Sequence, residues 1–110
     1  MECNKKNKPV INQGLHMVIN VSGGSYIAGN EYTCTLYASV GDQEHRASVT
    51  ATAQDIGGKV MIVFDFLPEQ TMQLRRGNCI LEIYDPVTLT EMAFDDNFAD
   101  VRPNSVSSSK

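Results

Sequence analysis

Apolar side chains recur at every second position through most of this chain, and that period of two constrains its fold more than any other feature. In 15–22, Leu15, Met17, Ile19 and Val21 alternate with His16, Val18, Asn20 and Ser22. In 31–40, Tyr32, Cys34, Leu36, Ala38 and Val40 alternate with Thr33, Thr35, Tyr37 and Ser39. In 47–53, Ala47, Val49, Ala51 and Ala53 alternate with Ser48, Thr50 and Thr52. In 59–66, Val60, Ile62, Phe64 and Phe66 share one face, and Met61, Val63 and Asp65 the other. In 78–84, Cys79, Leu81 and Ile83 alternate with Ile80, Glu82 and Tyr84. Successive side chains of a strand point to opposite faces, so each run reads as a strand with one face in a core.

The punctuation agrees. Ser22-Gly23-Gly24-Ser25, Gly29-Asn30, Gly41-Asp42, Gly57-Gly58, Arg76-Gly77-Asn78 and Asp85-Pro86 fall between the runs, where turns need a positive or a fixed φ. Two further short strands are expected at 89–94 and 97–102. The Thr, Ser and Ala of 47–53 suit a thin edge strand, and Tyr32 and Tyr84 are expected to pair across sheets. The one helical candidate is 68–74, with Pro68 suited to a first turn and Gly77 to its end. About seven antiparallel strands at this spacing predict an all-β, immunoglobulin-like sandwich over 10–102. Residues 1–9 read as a flexible arm, and 103–110, rich in serine, as a flexible tail.

Composition bounds the function. The chain has 110 residues, the size of one domain, and no apolar run long enough to span a bilayer. Its N-terminus is charged and then polar, which predicts no secretory signal. Net charge is −4, but Lys5, Lys6 and Lys8 are all at one end, so the rest carries twice as many acidic as basic side chains. An acidic body repels phosphate backbones, which disfavours nucleic acid as a partner. Cys3, Cys34 and Cys79 make an odd count without metal-ligand spacing, so neither a zinc site nor a disulfide scaffold is expected.

Each candidate for chemistry has a structural reading that is preferred. His16 and His45 are the only histidines, and no nucleophile motif accompanies them. Asp95-Asp96-Asn97, with Asp100, could offer oxygens to calcium, but the spacing is that of a turn. Gly23-Gly24 and Gly57-Gly58 lack the helix and lysine of a phosphate cradle. Arg75-Arg76 could grip a carboxylate and reads as a solvated turn. Met17, Met61, Met72 and Met92 read as core filler. Cys34 and Cys79 fall on inward faces, as the bridged cysteines of antibody domains do. No Trp follows Cys34, and Gly77 stands where a tyrosine corner would be, so free thiols are expected. No residue is assigned a catalytic, cofactor-binding or metal-ligating role.

The stretch Gly58-Lys59-Val60-Met61-Ile62-Val63-Phe64-Asp65-Phe66, then Leu67-Pro68-Glu69-Gln70-Thr71-Met72-Gln73-Leu74, then Gly77-Asn78-Cys79-Ile80-Leu81-Glu82-Ile83-Tyr84-Asp85 resembles the second half of small immunoglobulin-like domains in tailed-phage virion proteins, such as the N-terminal domain of baseplate upper proteins. Ile11-Asn12-Gln13-Gly14 is similar to their polar-Gly step before the first long strand. The chain departs from them in 41–58, which lacks their apolar loop-then-strand signature. The resemblance covers about 10–102. It implies a non-enzymatic virion structural protein, made in the host cytoplasm, that assembles with other virion proteins or with itself. It would serve as a capsid decoration, neck or tail and baseplate accessory. The alternative is a carbohydrate- or surface-binding sandwich, which needs an exposed aromatic platform from Tyr26, Tyr32, Tyr37 and Tyr84.

Overall fold

In the computed structural model, which describes residues 8–39 and 41–103, every alternating run forms a strand. The elements are β1 (Val10–Asn12), β2 (Met17–Ser22), β3 (Glu31–Tyr37), β4 (Arg46–Thr52), β5 (Gln54–Ile56), β6 (Lys59–Phe66), α1 (Pro68–Met72), β7 (Gly77–Asp85) and β8 (Thr90–Arg102). Two sheets result, one ordered β1-β8-β7-β3-β4 and the other β2-β6-β5. The second, fifth and sixth strands form one layer, while the third, fourth, seventh and eighth form the other. The leading strand joins the larger layer beside the last strand. This is the strand distribution of an immunoglobulin-like sandwich.

The core lies between the layers. Ile62, Phe64 and Phe66 of β6 are buried in one apolar cluster with Cys34 and Leu36 of β3 and Leu81 and Ile83 of β7. Ile11, Leu74, Ala99 and Val101 complete the cluster at one end, and Tyr26 and Tyr32 belong to it as well. The alternation of β6 is realised residue by residue, since its outward neighbours Val63 and Asp65 are exposed.

Several expectations are corrected. Among the described residues there are eight strands where about seven are expected, because β1 and β5 have only three residues each, too few to show a period. Not all pairing is antiparallel, since β1 runs parallel to β8 with Val10 beside Asp100. The expected strands at 89–94 and 97–102 are one strand of 13 residues. Its pairing with β7 skips from Cys79↔Ala99 to Leu81↔Asp95, so Asp96, Asn97 and Phe98 form a bulge opposite Ile80. A bulge uses the same Asp and Asn chemistry as a turn: the Asn97 N–H donates to Asp95 Oδ1 at 3.0 Å.

Tyr32 and Tyr84 are not paired across sheets. Both belong to the larger sheet, and Tyr84 stands beside Thr33, on the face opposite Tyr32. Burial of β3 is two-sided from Tyr32 to Tyr37, because it is flanked by β4 and β7. Its outward hydroxyls are satisfied locally: Thr33 bonds Thr50 and Thr35 bonds Ser48, each at 2.8 Å. β4 is an edge strand, as its small side chains suggest.

The helix ends at Met72, two residues before the expected limit. Leu67 precedes it, and Gln70 Oε1 accepts the Leu67 N–H at 2.9 Å. Thr71 is fully buried and ties α1 to the β1–β2 turn. Its Oγ1 accepts the Gly14 N–H at 3.0 Å and donates to the Leu15 carbonyl at 2.9 Å. Met17 and Met92 pack against the core as expected, but Met72 is exposed on the helix. Of the expected arm 1–9 and tail 103–110, residues 1–7 and 104–110 lie outside the described residues. Lys8 and Pro9 are engaged with β8. The Asp100 N–H donates to the Pro9 carbonyl at 3.0 Å, and Lys8 Nζ donates to Asn97 Oδ1 at 2.6 Å.

Candidate functional site: an apolar loop pole

The links β2–β3 (23–30), β5–β6 (57–58) and β7–β8 (86–89) emerge at one end of the sandwich. Register fixes this: Ser22 lies beside Met61 near the start of β6, and Thr33 near the start of β3 lies beside Tyr84 near the end of β7. Variable domains present their binding loops on an immunoglobulin sandwich from one such end. Here that end carries Ile27, Val87 and Leu89, which are 60%, 86% and 75% exposed. A hollow of about 350 Å³ between the first and third loops is lined by Gly29, Asn30, Glu31, Asp85, Val87 and Thr88.

Each loop is held rigidly. Tyr26 is buried under the first loop, edge-on to Tyr32 with ring centroids 5.0 Å apart. The Tyr32 hydroxyl accepts the Ile27 N–H at 3.0 Å, and Gly29 N–H and Ala53 N–H donate to Ala53 and Asn30 carbonyls at 2.8 and 2.9 Å. Gly57 and Gly58 both have positive φ, the requirement of a two-residue turn joining twisted strands. In the third loop Asp85 Oδ1 accepts the N–H groups of Val87 and Thr88 at 2.8 and 3.2 Å. The Leu89 N–H closes the loop onto the Asp85 carbonyl at 2.7 Å.

Leu89 is the only described residue other than glycine with positive φ, at 60°. Holding an L-residue with a bulky side chain there costs about 1–2 kcal/mol. The turn uses a position that glycine or asparagine fills without strain, yet it displays an exposed leucine. Replacing Leu89 by Gly relieves the strain but frees the unfolded chain by about 0.4–1 kcal/mol. The variant is therefore expected to unfold in urea at the wild-type midpoint or up to about 1 kcal/mol above it. A loss of 1 kcal/mol or more would mean that the leucine packs for stability.

The residues singled out in the sequence are dispersed. His16 contacts the Asp65 carboxylate on the exposed side of the smaller sheet. His45 Nδ1 lies 2.9 Å from Asp42 Oδ2, and Asp42 Oδ1 accepts the Glu44 and His45 N–H groups, which shapes the 42–45 turn. Arg75 reaches Asp42 at 3.7 Å, and Arg76 Nε donates to Gln13 Oε1 at 3.2 Å, so both arginines contact their own chain. Cys34 and Cys79 are free and buried. Both sit on the larger sheet, where Cys34 is opposite Ile83, four residues beyond Cys79, so they do not span the layers. Burial pushes the Cys34 thiol up to about 12 and the Cys79 thiol up to about 11, so neither is an available nucleophile at neutral pH. Among the described residues no three His, Cys, Asp or Glu side chains are grouped to hold a metal.

Of the tyrosines, Tyr26 and Tyr32 are in the core. Tyr37 is 4% exposed, with Arg46 over its ring at 4.6 Å and its hydroxyl toward Glu82. The apolar pole was not singled out in the sequence, because lone aliphatic residues in polar loops carry no period. Its one available signal was a leucine closing the Asp85-Pro86-Val87-Thr88 turn. No family model, no curated protein and no solved structure matches this chain.

Proposed function

We propose that this chain is a non-enzymatic structural protein of a tailed-phage virion, an immunoglobulin-like module that joins protein to protein as a capsid decoration, neck or tail and baseplate accessory. The observation that carries the docking role is the rigid pole with Leu89 held in a left-handed conformation and exposed. Strained, preorganised loops lose little entropy on binding, so their apolar area converts to affinity efficiently. The resemblance of residues 58–85 to virion domains supports the setting. Many weak contacts of this kind add up in a symmetric particle. The glycan-binding alternative is disfavoured by the burial of Tyr26, Tyr32 and Tyr37, which removes them from any stacking platform.

The test is mass spectrometry of gradient-purified particles of the encoding phage. The chain is expected at a fixed ratio to the major capsid or tail proteins. Its absence from intact particles, together with a specific signal on a glycan array, would replace this reading by the alternative.

A further inference from the structure

Strand β8 has 13 residues, but β1 covers its outer edge only at Asp100, Val101 and Arg102. Upstream of these, among the described residues, β8 pairs with β7 alone. β2 is the last strand of the smaller sheet and pairs with β6 alone. These two open edges border the same flank, because β1 turns directly into β2, while β4 runs on into β5 at the opposite flank. The flank is also incompletely packed. Met17, Ile19 and Val21 of β2 and Met92, Ala93 and Phe98 of β8 reach the core but are only partly buried, whereas Phe64 and Phe66 of β6 are covered. An open edge over partly covered apolar side chains is a seat for one more strand. Its rim is acidic: Glu91, Asp95 and Asp96 have no ion-pair partner among the described residues, and Asp100 has Arg102.

We propose that residues 1–7 of this chain fill that seat, extending β1 backward along β8 in the register that β1 already sets. The chain path points there. The Asp100 N–H donates to the Pro9 carbonyl at 3.0 Å, and Lys8 Nζ donates to Asn97 Oδ1 at 2.6 Å and Asn78 Oδ1 at 3.0 Å. The length fits as well, since an extended run of this size spans about 23 Å and brings Met1 level with Glu91, near the start of β8. Charge makes the choice. With Val10 beside Asp100, the same register sets Lys5 level with Asp95, Lys6 with Asp96 and Cys3 with Ala93. A slip of one residue at the bulge still keeps one lysine–aspartate pair. Filling the seat protects the β8 edge against stray strand addition, and exposed ion pairs hold the arm without tying it to the core. The arm depends neither on the apolar pole nor on the virion setting.

The experiment is amide hydrogen exchange, read by NMR on the full chain at low concentration. Amides of residues 92–98 that do not bond β7 are expected to exchange at least about tenfold more slowly than those of a free peptide. Lys5→Glu with Lys6→Glu is expected to speed them at least about fivefold, and adding Asp95→Lys with Asp96→Lys to restore them. Amides of β3 and β6 should not change in any variant, which verifies the fold. Neighbouring strands lie at a separation that suits a disulfide. An Ala93→Cys chain is therefore expected to bond Cys3 under mild oxidation, severalfold faster than the same chain carrying Lys5→Glu and Lys6→Glu. Free-peptide exchange along the β8 edge, or equal disulfide rates with and without the lysines, overturns the proposal. Protection that appears only as concentration rises, with the disulfide joining two chains, assigns the seat to a neighbour's arm and overturns it as well.

Discussion

Replacing Phe64 by Ala is expected to cost about 3–5 kcal/mol of folding stability, measured by urea denaturation. Phe64 is completely buried at the centre of β6, facing the larger sheet. A domain of this size is stable by only about 5–15 kcal/mol, so the variant should unfold well below the wild-type midpoint. The adjacent Val63 points the other way and is 49% exposed, and its replacement by Ala should move stability by about 0.5 kcal/mol. The contrast between neighbours one residue apart is the signature of a half-buried strand. A Phe64→Ala loss of less than about 1 kcal/mol would contradict the layering.

The second large effect is alkaline destabilisation driven by two buried thiols. Burial holds Cys34 up to about 12 and Cys79 up to about 11 in the folded chain. The unfolded thiols titrate near their ordinary value of about 8.5. Their stabilisation is therefore complete below that value and is lost as pH rises toward 11 and 12, because the unfolded state releases protons that the folded state keeps. By about pH 10 the pair should cost roughly 4 kcal/mol relative to neutral pH. Tyr26 and Tyr37 are also raised, first of all by burial, and add to the effect at higher pH. A Cys34→Ala, Cys79→Ala variant should be less stable at pH 7 but nearly flat up to about pH 9.5. The same downward slope in that variant would assign the alkaline loss to other groups.

How much of this was legible in the sequence depends on whether a residue's surroundings leave a period. The inward faces of β2, β3, β6 and β7 were readable because burial on one side enforces alternation. The double burial of Thr33 and Thr35 was not, since it follows from the position of β3 between two neighbours, set by the whole topology. β1 and β5 are too short to show a period: β1 pairs with β8 and buries only Ile11, and β5, exposed at all three residues, is held by its pairing with β6. The bulge of β8 was read as a break between strands, because Asp95 and Asn97 bond their own backbone in a bulge as they do in a turn. The apolar pole was illegible because Ile27, Val87 and Leu89 come from two loops far apart in the chain. Only the strand order brings those loops to one end.

That pole is the centre of the account, and side-chain footprinting by hydroxyl radicals tests it directly. The comparison is between the free chain and the chain in the particles proposed to contain it. Oxidation of Ile27, Val87 and Leu89, which are 60%, 86% and 75% exposed in the single chain, is expected to fall severalfold on assembly. Phe94 and Met72, 51% and 54% exposed elsewhere on the surface, should change little. Unchanged oxidation at the pole, with protection confined to other surfaces, would contradict it.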